Sequence, residues 1–304
     1  MRRPPGVSED YALARLTTVR TGGAAEYFAR SGSIEELGEL LAWARSEGLE
    51  VGIVGSGSNL LVADSGVKGL VLKLDRQLAC AERDGDRVLC GGGARLPSVA
   101  ALAAREGLSG LEFGVNIPGT VGGAVRMNAN AYGGELGRAL EWADVVTAAG
   151  STRRAPDSLE LGYRRSNLGP GEVVARASFQ LRPASPERVK ATLVELRARR
   201  HAAQPSGIKT FGSTFKNPTD ARAEGATAGQ LLEAAGCRGL RVGGARFSQK
   251  HANFIENLGE ASTADVLGLM AEGRRRVDER FGVELEAEVQ VLGEVVLPGE
   301  GGAP

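Results

Sequence analysis

The sequence predicts an α+β protein in three sections, and two observations support this fold class. Segments with apolar residues at period two are interspersed with segments whose apolar residues recur at helical spacing. Glycine accounts for 44 of the 304 residues, about twice its usual share of ~7%. The glycines gather between strand-like segments, where the backbone must turn or approach another group closely.

The first section, residues 1–74, begins as a β-α-β unit. Ser33 and Glu36 have the spacing of a capping box, and apolar residues recur at helical spacing from there to Ala44. The segments EVGIVG and GVKGLVLKL are predicted as buried strands. No helical pattern follows the glycine turn between these strands, where a dinucleotide-binding crossover would need one.

The second section, residues 75–183, combines short strands with glycine loops. DRVLCGG, WADVVTAAG and EVVARASFQL are its predicted strands, and ARASFQL shows the clearest period of two. One helix is predicted from Pro97 to Glu106. This mixture is typical of an α+β unit.

The third section, residues 184–304, is predicted to contain three helices and a closing strand. Ser185 is a candidate N-cap, with Pro186 at the first helical position. Further helices are predicted at Ala226–Ala235 and Thr263–Phe281. The segment VELEAEVQVLG is predicted as one strand that closes the fold.

Composition and charge favour an enzyme of small molecules over a protein of nucleic acids or membranes. Lys+Arg and Asp+Glu are balanced at 37 each, so no net basic field would attract either partner. Neither a signal peptide nor a membrane span is indicated, which favours the cytoplasm. Cys80, Cys90 and Cys237 are widely spaced and are interpreted as small buried residues; no metal site is expected.

Two glycine-rich loops are candidate anion-binding sites. In GIVGSGSNLLVADSG, Gly55 and Gly57 match a dinucleotide fingerprint, but Leu60 replaces the third glycine. Successive backbone N–H groups in such a turn can still converge on a phosphate, although a plain turn remains the alternative. NIPGTVGGAVRMNANAYGG offers a second loop, and the pair favours an extended cofactor with a pyrophosphate.

Seven motifs then occur in a fixed order: TTVRTGGAAEYF, VGSGSNLLVAD, EFGVNIPGTVGGAVRMNANAYGGELG, LGYRRSNL, FGSTFKNP, GARFSQKHANFIENLG and LEAEVQVLG. With them the sequence resembles the UDP-N-acetylenolpyruvoylglucosamine reductase family, over the range from about Leu16 to Gly293. Members of that family are flavoenzymes of peptidoglycan precursor synthesis, a part of cell wall biogenesis on which cell shape and division depend.

The resemblance implies a two-subdomain FAD-binding unit of the vanillyl-alcohol-oxidase (PCMH) type, with subdomains 1–74 and 75–183, and a C-terminal α+β substrate domain, 184–304. It implies non-covalent FAD, NADPH as the hydride donor, and reduction of UDP-N-acetylglucosamine enolpyruvate to UDP-N-acetylmuramate. The partner expected is this small nucleotide-sugar, with no nucleic acid or membrane, and the protein is expected to be a monomer.

The resemblance also assigns binding residues. Those assigned to FAD are Gly55, Ser56, Gly57, Ser58, Asn59, Leu60, Asn116, Pro118, Gly119, Thr120, Gly122, Gly123, Asn128 and Ala129. Those assigned to the substrate are Tyr163, Lys216, Asn217, Lys250, His251 and Asn253. His251 is interpreted as shaping the site rather than as a general base.

Two departures from the family pattern affect this assignment. Asn130 stands where the family's MNAGAYGG has glycine, and asparagine tolerates left-handed backbone better than most residues. The span 167–182 is too short for the inserted subdomain that places a tyrosine over the substrate in one branch. KHANF is typical of the other branch, so the compact type II form is expected.

Catalysis is assigned by the resemblance to Arg164, Ser213 and Glu288. The Arg164 fork would bind the substrate carboxylate and, with Glu288, stabilise the enolate formed by hydride addition to the β-carbon. Ser213 has no neighbouring base, so it would act as the acid that protonates the α-carbon. Glu288 shares one face of the closing strand with Glu284 and Glu286, and would be protonated if buried beside the substrate carboxylate.

From the residues alone, non-catalytic interpretations remain open: a surface arginine, a turn serine and an exposed glutamate face. A basic group could face the UDP diphosphate or form a solvated helix face; it comprises Arg197, Arg199, Arg200 and Lys209. An FAD-dependent alcohol oxidase or dehydrogenase of the same superfamily, and a non-catalytic nucleotide-sugar binding protein, are the competing functions.

Overall fold

The computed structural model describes residues 2–299, and strands and helices are interspersed throughout that range. The strands are β1 (Ser8–Ala12), β2 (Ala24–Ser31), β3 (Val51–Ile53), β4 (Leu60–Val62), β5 (Val67–Leu74), β6 (Ala81–Asp84), β7 (Arg87–Gly91), β8 (Leu108–Ser109), β9 (Asn130–Ala131), β10 (Gly134–Glu135), β11 (Leu140–Thr147), β12 (Gly150–Arg154), β13 (Val173–Gln180), β14 (Arg182–Pro183), β15 (Arg241–Val242), β16 (Ala245–Phe247), β17 (Ile255–Asn257) and β18 (Gln290–Leu292). The helices are α1 (Ile34–Ser46), α2 (Leu96–Arg105), α3 (Val121–Arg126), α4 (Pro186–Ala203), α5 (Ala228–Ala234) and α6 (Thr263–Phe281).

The described residues form two compact units, each assembled from separate stretches of chain. Unit 1 comprises residues 2–11, 26–56 and 68–200, and unit 2 comprises residues 12–25, 57–67 and 201–299. Two short N-terminal stretches therefore belong with the C-terminal third. The division after residues 74 and 183 follows the sequence sections and remains a prediction.

Unit 1 contains a four-stranded sheet in the order β1-β2-β5-β3, in which β3 and β5 are parallel. Helix α1 packs on this sheet because its apolar stripe, including Leu37 and Leu41, is buried with Leu70 and Leu72 of β5. The Ser33 hydroxyl caps α1 by accepting from the Glu36 N–H, as predicted. No helix follows β3; the glycine turn leads directly to β4, also as predicted.

Unit 1 also contains a five-stranded antiparallel sheet in the order β12-β11-β13-β7-β6. Its core joins Phe179 of β13 to Leu96 of α2 and Val121 of α3, all fully buried. Helix α4 begins at Pro186, as predicted, and a smaller cluster buries its Val189 together with α2. This packing fixes α3, and with it the loop that precedes α3.

Unit 2 combines the sheet β15-β16-β17, helices α5 and α6, and the parallel pair β4-β18. Ser262 caps α6 through a reciprocal capping box with Asp265. The Asp64 carboxylate also accepts from the N–H groups of Thr263 and Ala264, at 2.9 Å each. Asp64 therefore ties the stretch after the first glycine loop to the N-terminus of α6.

Some predicted elements differ from the structure. Helix α6 has the predicted bounds, whereas α5 begins at Ala228, after the capping threonine Thr227. The predicted closing strand is wrong over most of its length: within 283–293 only β18 forms a ladder, and Ala287 makes a single bridge. Cys90 and Cys237 are buried as expected, but Cys80 is exposed.

Burial raises the pKa of the Cys90 thiol to about 12, which keeps the thiol protonated and unreactive at neutral pH. Across residues 2–299, none of the helices has both the length and the apolar character needed to cross a membrane. Within the same residues, no group of three or more His, Cys, Asp or Glu side chains is arranged so that it could hold a metal ion.

Candidate active site

Gly55 and Ser56 form the unit 1 part of the first glycine loop, and Gly55 lies against the second loop. A Cβ atom on Gly55 would come within 2.4 Å of the Thr120 hydroxyl oxygen. Thr120 is buried and forms a single antiparallel bridge with Arg95. Unit 1 therefore brings the two predicted loops into contact, which the sequence had placed in separate sections.

The second loop, residues 117–123, contains glycines that the protein's own packing does not require. A Cβ on Gly119 would lie 3.8 Å from Ile117 Cγ2, and one on Gly123 would lie 3.5 Å from the Thr120 hydroxyl, both ordinary contacts. Neither glycine has a positive φ. A group bound close to this backbone would explain both glycines, so the loop fits the cofactor pyrophosphate that the sequence predicts.

The remaining residues of this loop are held by neighbouring backbone. The Gly122 N–H donates to the Gly92 carbonyl at 2.7 Å, and the Gly119 carbonyl accepts from the Leu96 N–H at 3.1 Å. Pro118 is exposed. The loop is thus fixed at both ends while its surface stays accessible.

Three residues assigned to FAD are buried in unit 1. Asn116 donates to the Leu196 carbonyl of α4 at 2.7 Å, and Ala129 packs in the core. The Asn128 amide makes three hydrogen bonds within the unit. These side chains support the loop, so a contact of this stretch with FAD is proposed only for its backbone.

Lys73, which the sequence analysis missed, lies beside the first loop. Its ammonium donates to the Gly55 carbonyl, and burial lowers the pKa of Lys73. The signal was available in the sequence, because Lys73 is the one basic residue in the apolar run GLVLKL of β5. It contributes a half-buried positive charge near the predicted phosphate site.

Arg164 occupies a tight turn between Gly162 and Arg165 in unit 1. The N–H of each of these two residues donates to the carbonyl of the other, at 3.1 and 3.3 Å. Arg164 has φ 56°, a left-handed conformation that costs a non-glycine residue about 1–3 kcal/mol. Its guanidinium donates to the Asn130 carbonyl at 3.3 Å and lies 5.4 Å from the centre of the Tyr163 ring, which is exposed.

The basic group divides into different environments. Arg200 is half-buried, and this burial lowers the pKa of its guanidinium. Arg199 is exposed but lies 5.2 Å from the centre of the Tyr132 ring, as in a cation–π contact. Arg197 and Lys209 are exposed, as expected for a solvated face.

Ser213 lies in a segment of unit 2 that Asn253 holds in place, and it forms a single antiparallel bridge with Phe254. The Thr214 N–H donates to the Asn253 carbonyl at 2.8 Å. The Asn253 amide accepts from the Phe215 N–H at 2.9 Å and donates to the Phe215 carbonyl at 2.8 Å. Asn253 is buried and Ser213 is half-buried, so the amide orients the segment that presents the serine.

Glu288 lies next to the Ser213 segment. Its N–H donates to the Thr214 carbonyl at 2.9 Å, and its own carbonyl accepts from Asn59 Nδ2 at 3.1 Å. Glu288 is half-buried, whereas Glu286, two residues earlier, is exposed. Unit 2 therefore brings the predicted acid and one predicted enolate-stabilising residue to the same place.

The unit 2 part of the first glycine loop begins at Gly57, which must be glycine. Gly57 has φ 64°, and a Cβ there would lie 2.0 Å from the Leu16 carbonyl oxygen. The Thr18 N–H donates to the Gly57 carbonyl at 3.0 Å, and the Thr18 hydroxyl donates to the Thr210 carbonyl at 2.6 Å. Thr18, a residue of the TTVRTGG motif that carried no assigned role, therefore joins the loop to the segment leading to Ser213.

The rest of this loop leads into β4. Leu60 is buried and pairs with Gln290 of β18, and the Asn59 carbonyl accepts from the Gln290 N–H at 3.1 Å. The Ser58 carbonyl would lie 3.4 Å from a Cβ on Gly212. This part of the loop thus runs alongside the Ser213 segment.

Three residues assigned to the substrate have partners within unit 2. Lys216 forms an ion pair with Glu286, a residue the sequence analysis placed only on an exposed face. Asn217 Oδ1 accepts from the first N–H of α5 at 3.2 Å, and Lys250 Nζ donates to the His201 carbonyl at 2.6 Å. Substrate binding by these residues remains a prediction.

His251 is packed rather than presented for catalysis. Its Nδ1 accepts from the Asn253 N–H at 3.2 Å, and a Cβ on Gly229 of α5 would lie 2.6 Å from its ring. The ring also meets Phe254 edge to face, with centroids 5.0 Å apart. Burial lowers the pKa of His251, which favours the neutral imidazole that this packing requires.

We expect the free energy of unfolding to fall as the pH drops below about 6.5, the ordinary pKa of histidine. Because the folded-state pKa of His251 is lowered, its stabilisation is complete above that pH and is lost as the unfolded chain takes up the proton first. Urea unfolding between about pH 5 and 8 measures the slope. His251→Gln should flatten it, with His201→Gln as the matched control; an unaltered slope in His251→Gln would contradict the assignment.

Two family models match the chain. Residues 25–156 match the FAD binding domain, and residues 204–292 match the C-terminal domain of UDP-N-acetylenolpyruvoylglucosamine reductase. The first match includes both glycine loops, and the second includes Ser213 and Glu288. Together with the structure, the matches confirm the predicted α+β fold class with an FAD-binding part and a distinct C-terminal domain.

Full-length relatives show the same similarity. The chain is 44% identical over 96% of its length to UDP-N-acetylenolpyruvoylglucosamine reductase 2 of Symbiobacterium thermophilum, covering 94% of that protein. It is 43% identical over 95% of its length to the reductase of Rubrobacter xylanophilus, covering 96% of it. The crystal structure of UDP-N-acetylenolpyruvylglucosamine reductase (MurB) from Thermus caldophilus superimposes with a TM-score of 0.81 at 38% identity, over 93% of this chain and 98% of that one.

Proposed function

The chain belongs to the UDP-N-acetylenolpyruvoylglucosamine reductase family, and on that premise we propose that it reduces UDP-N-acetylglucosamine enolpyruvate to UDP-N-acetylmuramate with NADPH. The relatives' names support the reaction, and the match to the FAD binding domain supports the cofactor. The reaction belongs to cytoplasmic peptidoglycan precursor synthesis, and we propose a monomeric enzyme of the compact type II branch.

The observation that carries the proposal is the arrangement of Ser213 and Glu288 in unit 2. Glu288 bonds to the backbone of Thr214, the residue after Ser213, and the Asn253 amide holds the same segment. An exposed strand face and an isolated turn serine do not predict that Glu288 bonds to the residue that follows Ser213. A hydroxyl proton donor and a carboxyl group on neighbouring segments suit the reduction of an enolpyruvyl double bond.

Each catalytic residue has a proposed task at a stated atom. FAD, when bound, supplies the hydride to the enolpyruvyl β-carbon. The Arg164 guanidinium binds the substrate carboxylate and, with the Glu288 carboxyl, stabilises the negative charge that develops on it. The Ser213 hydroxyl gives its proton to the α-carbon. Lys216 is proposed to help bind the nucleotide-sugar, leaving its ion pair with Glu286 when an anionic group arrives.

FAD is proposed to lie on the two glycine loops without a covalent bond. The loop residues proposed to line it are Gly55, Ser56, Gly57, Ser58, Asn59, Pro118, Gly119, Thr120, Gly122 and Gly123. The open space at Gly119 and Gly123 supports this placement in unit 1. Three sections, divided after residues 74 and 183, remain the proposed domain organisation.

Gly119→Ala is expected to fold normally but to bind FAD more weakly. The new methyl group meets only Ile117 at an ordinary distance, so the apoprotein loses nothing, whereas a bound pyrophosphate would lose its close approach. An overpacking cost of about 1–3 kcal/mol corresponds to roughly 5- to 150-fold weaker binding. Flavin fluorescence titration and urea unfolding of the apoprotein measure the two quantities. Equal FAD affinity in the variant would argue against this placement.

The function itself is tested by a flavin spectrum followed by two half-reactions. We expect the purified protein to show the absorption of oxidised flavin, to lose it on addition of NADPH, and to regain it only on addition of UDP-N-acetylglucosamine enolpyruvate. Protein with intact bound FAD that does not turn over with these two reactants would refute the proposal. A colourless protein that still binds the nucleotide-sugar would point to a binding protein instead.

A further inference from the structure

The side chain of Asn128 connects three stretches of unit 1. Asn128 is fully buried just after α3, with φ 38°. Its Nδ2 donates to the Glu135 carboxylate at 2.7 Å and to the Gly162 carbonyl at 3.2 Å, and its Oδ1 accepts from the Gly137 N–H at 3.0 Å. Both amide hydrogens are therefore used within the protein.

Gly162 is the first residue of the turn that carries Arg164. Its carbonyl accepts from the Arg165 N–H, which closes the turn, and from the Asn128 amide, which ties the turn to the loop after α3. The Arg164 guanidinium meets the same loop, because its Nη1 donates to the Asn130 carbonyl at 3.3 Å. One short stretch, 128–130, thus contacts both the base of the turn and the charged group that the turn presents.

The backbone of these segments is unusually strained. Asn128, Tyr132, Glu160 and Arg164 are all non-glycine residues with positive φ, between 38° and 56°. Such conformations persist only where the surrounding structure holds them, and they concentrate at functional sites. The fully buried amide of Asn128 bonds to Glu135, Gly137 and Gly162, in the two stretches of chain that contain the other three residues.

From this geometry we infer that Asn128 is a positioning residue: its amide fixes the turn at Gly162 so that Arg164 presents its guanidinium in one orientation. The inference rests on the proposed role of Arg164 and replaces a direct contact of the Asn128 side chain with FAD. A donor is essential at this position, because Glu135 and Gly162 both offer acceptors. An aspartate would keep the bond from Gly137 but lose both donors.

Asn128→Asp is the first test. We expect NADPH to reduce its flavin as in the wild type, while reoxidation by UDP-N-acetylglucosamine enolpyruvate slows on the order of 100-fold, the scale of a misplaced reacting group. Asn167→Asp is the matched control. It makes the same chemical change beyond the turn, where Asn167 contacts Ser158 and Arg154, and should reoxidise normally. Wild-type reoxidation in Asn128→Asp would overturn the inference.

A second variant separates positioning from folding. In the double variant N128D/E135Q, the new glutamine donates to the new aspartate and removes the repulsion between two carboxylates, but the bond to Gly162 stays missing. We expect the free energy of unfolding to return toward the wild-type value while reoxidation remains slow. If the reoxidation rate returns as well, Asn128 only stabilises the loop and the inference is wrong.

A double-mutant cycle with R164A tests whether Asn128 acts through Arg164. We expect the double variant N128D/R164A to be no slower than R164A alone. Effects that multiply fully would overturn the inference, and so would an R164A variant with normal reoxidation. Wild-type enzyme that the substrate does not reoxidise at all would overturn the proposed function itself, and this inference with it. The wild type therefore distinguishes the two failures.

Discussion

Ser213→Ala is expected to stop the second half of the reaction while leaving the first half intact. NADPH should reduce the flavin of the variant at the wild-type rate, since no proton from Ser213 is needed there. Reoxidation by UDP-N-acetylglucosamine enolpyruvate should slow by about 10²–10⁴-fold, the usual contribution of a general acid. This is the largest effect we expect from a single substitution.

The physical reason lies in the surroundings of the serine. A serine nucleophile needs a base to remove its proton. Ser213 forms a bridge with Phe254, and the histidine near Phe254 in the chain is His251. The Nδ1 of His251 already accepts from a backbone N–H. A proton donor needs only a sufficiently basic acceptor, and a carbanion at the α-carbon is one. Polar groups also lie around the serine: the Glu288 N–H donates to the Thr214 carbonyl, and Lys216, on the same segment as Ser213, forms an ion pair with Glu286.

Stopped-flow absorbance of the flavin measures both half-reactions in one instrument. Thr214→Val is the matched control, because the Thr214 hydroxyl is fully buried without a hydrogen-bond partner among the described residues. That variant should keep both half-reactions. Loss of flavin reduction in Ser213→Ala would contradict the proton-donor assignment, since it would place the serine in the first step or in cofactor binding.

The local elements of this fold were predictable because their signals lie within a few residues of one another. Helix α6 was predicted with its observed bounds because a capping serine and an apolar stripe mark them. The absence of a helix after β3 was likewise predicted, because the segment that follows the glycine turn is short and apolar and has no helical pattern. Such signals need no knowledge of the rest of the chain.

Tertiary contacts decided the features that the sequence could not predict. The segment 283–289 has the alternation of a strand, but its backbone bonds only singly to Thr214 and Lys216, so no ladder forms before β18. Residues 12–25 and 57–67 join unit 2 through contacts such as those of Thr18 and Asp64 with residues about 200 positions away. No pattern within one segment reports such partners.

The candidate site likewise has features that the sequence predicts and features that only tertiary contacts decide. Composition and spacing left Ser213 and Glu288 as a turn serine and one glutamate of three, and only the family resemblance selected them. The structure adds their common contact with Thr214 in unit 2. The structure also shows that Asn128 and Asn253 support the site, because their buried amides form hydrogen bonds with neighbouring backbone groups. A sequence motif does not show which amides are buried.

Glu288→Ala is expected to slow reoxidation of the flavin by about 10²–10³-fold, the cost of removing one group that stabilises a developing oxyanion. Flavin reduction by NADPH should be unaffected. The hydrogen bonds of Glu288 to Thr214 and Asn59 should survive the substitution, because they use its backbone. Glu284→Ala is the matched control: Glu284 is an exposed glutamate of the same segment and has no proposed role.

Glu288→Gln tests whether the protonated or the ionised carboxyl of Glu288 stabilises the enolate. An ionised carboxylate only accepts hydrogen bonds, whereas a protonated carboxyl can donate one, as an amide does. A second negative charge beside the enolate would oppose the reaction, so the donor form is the useful one and Glu288→Gln should reoxidise faster than Glu288→Ala. If Glu288→Gln and Glu288→Ala reoxidise equally slowly, the proposed enolate stabilisation by the neutral form of Glu288 is wrong.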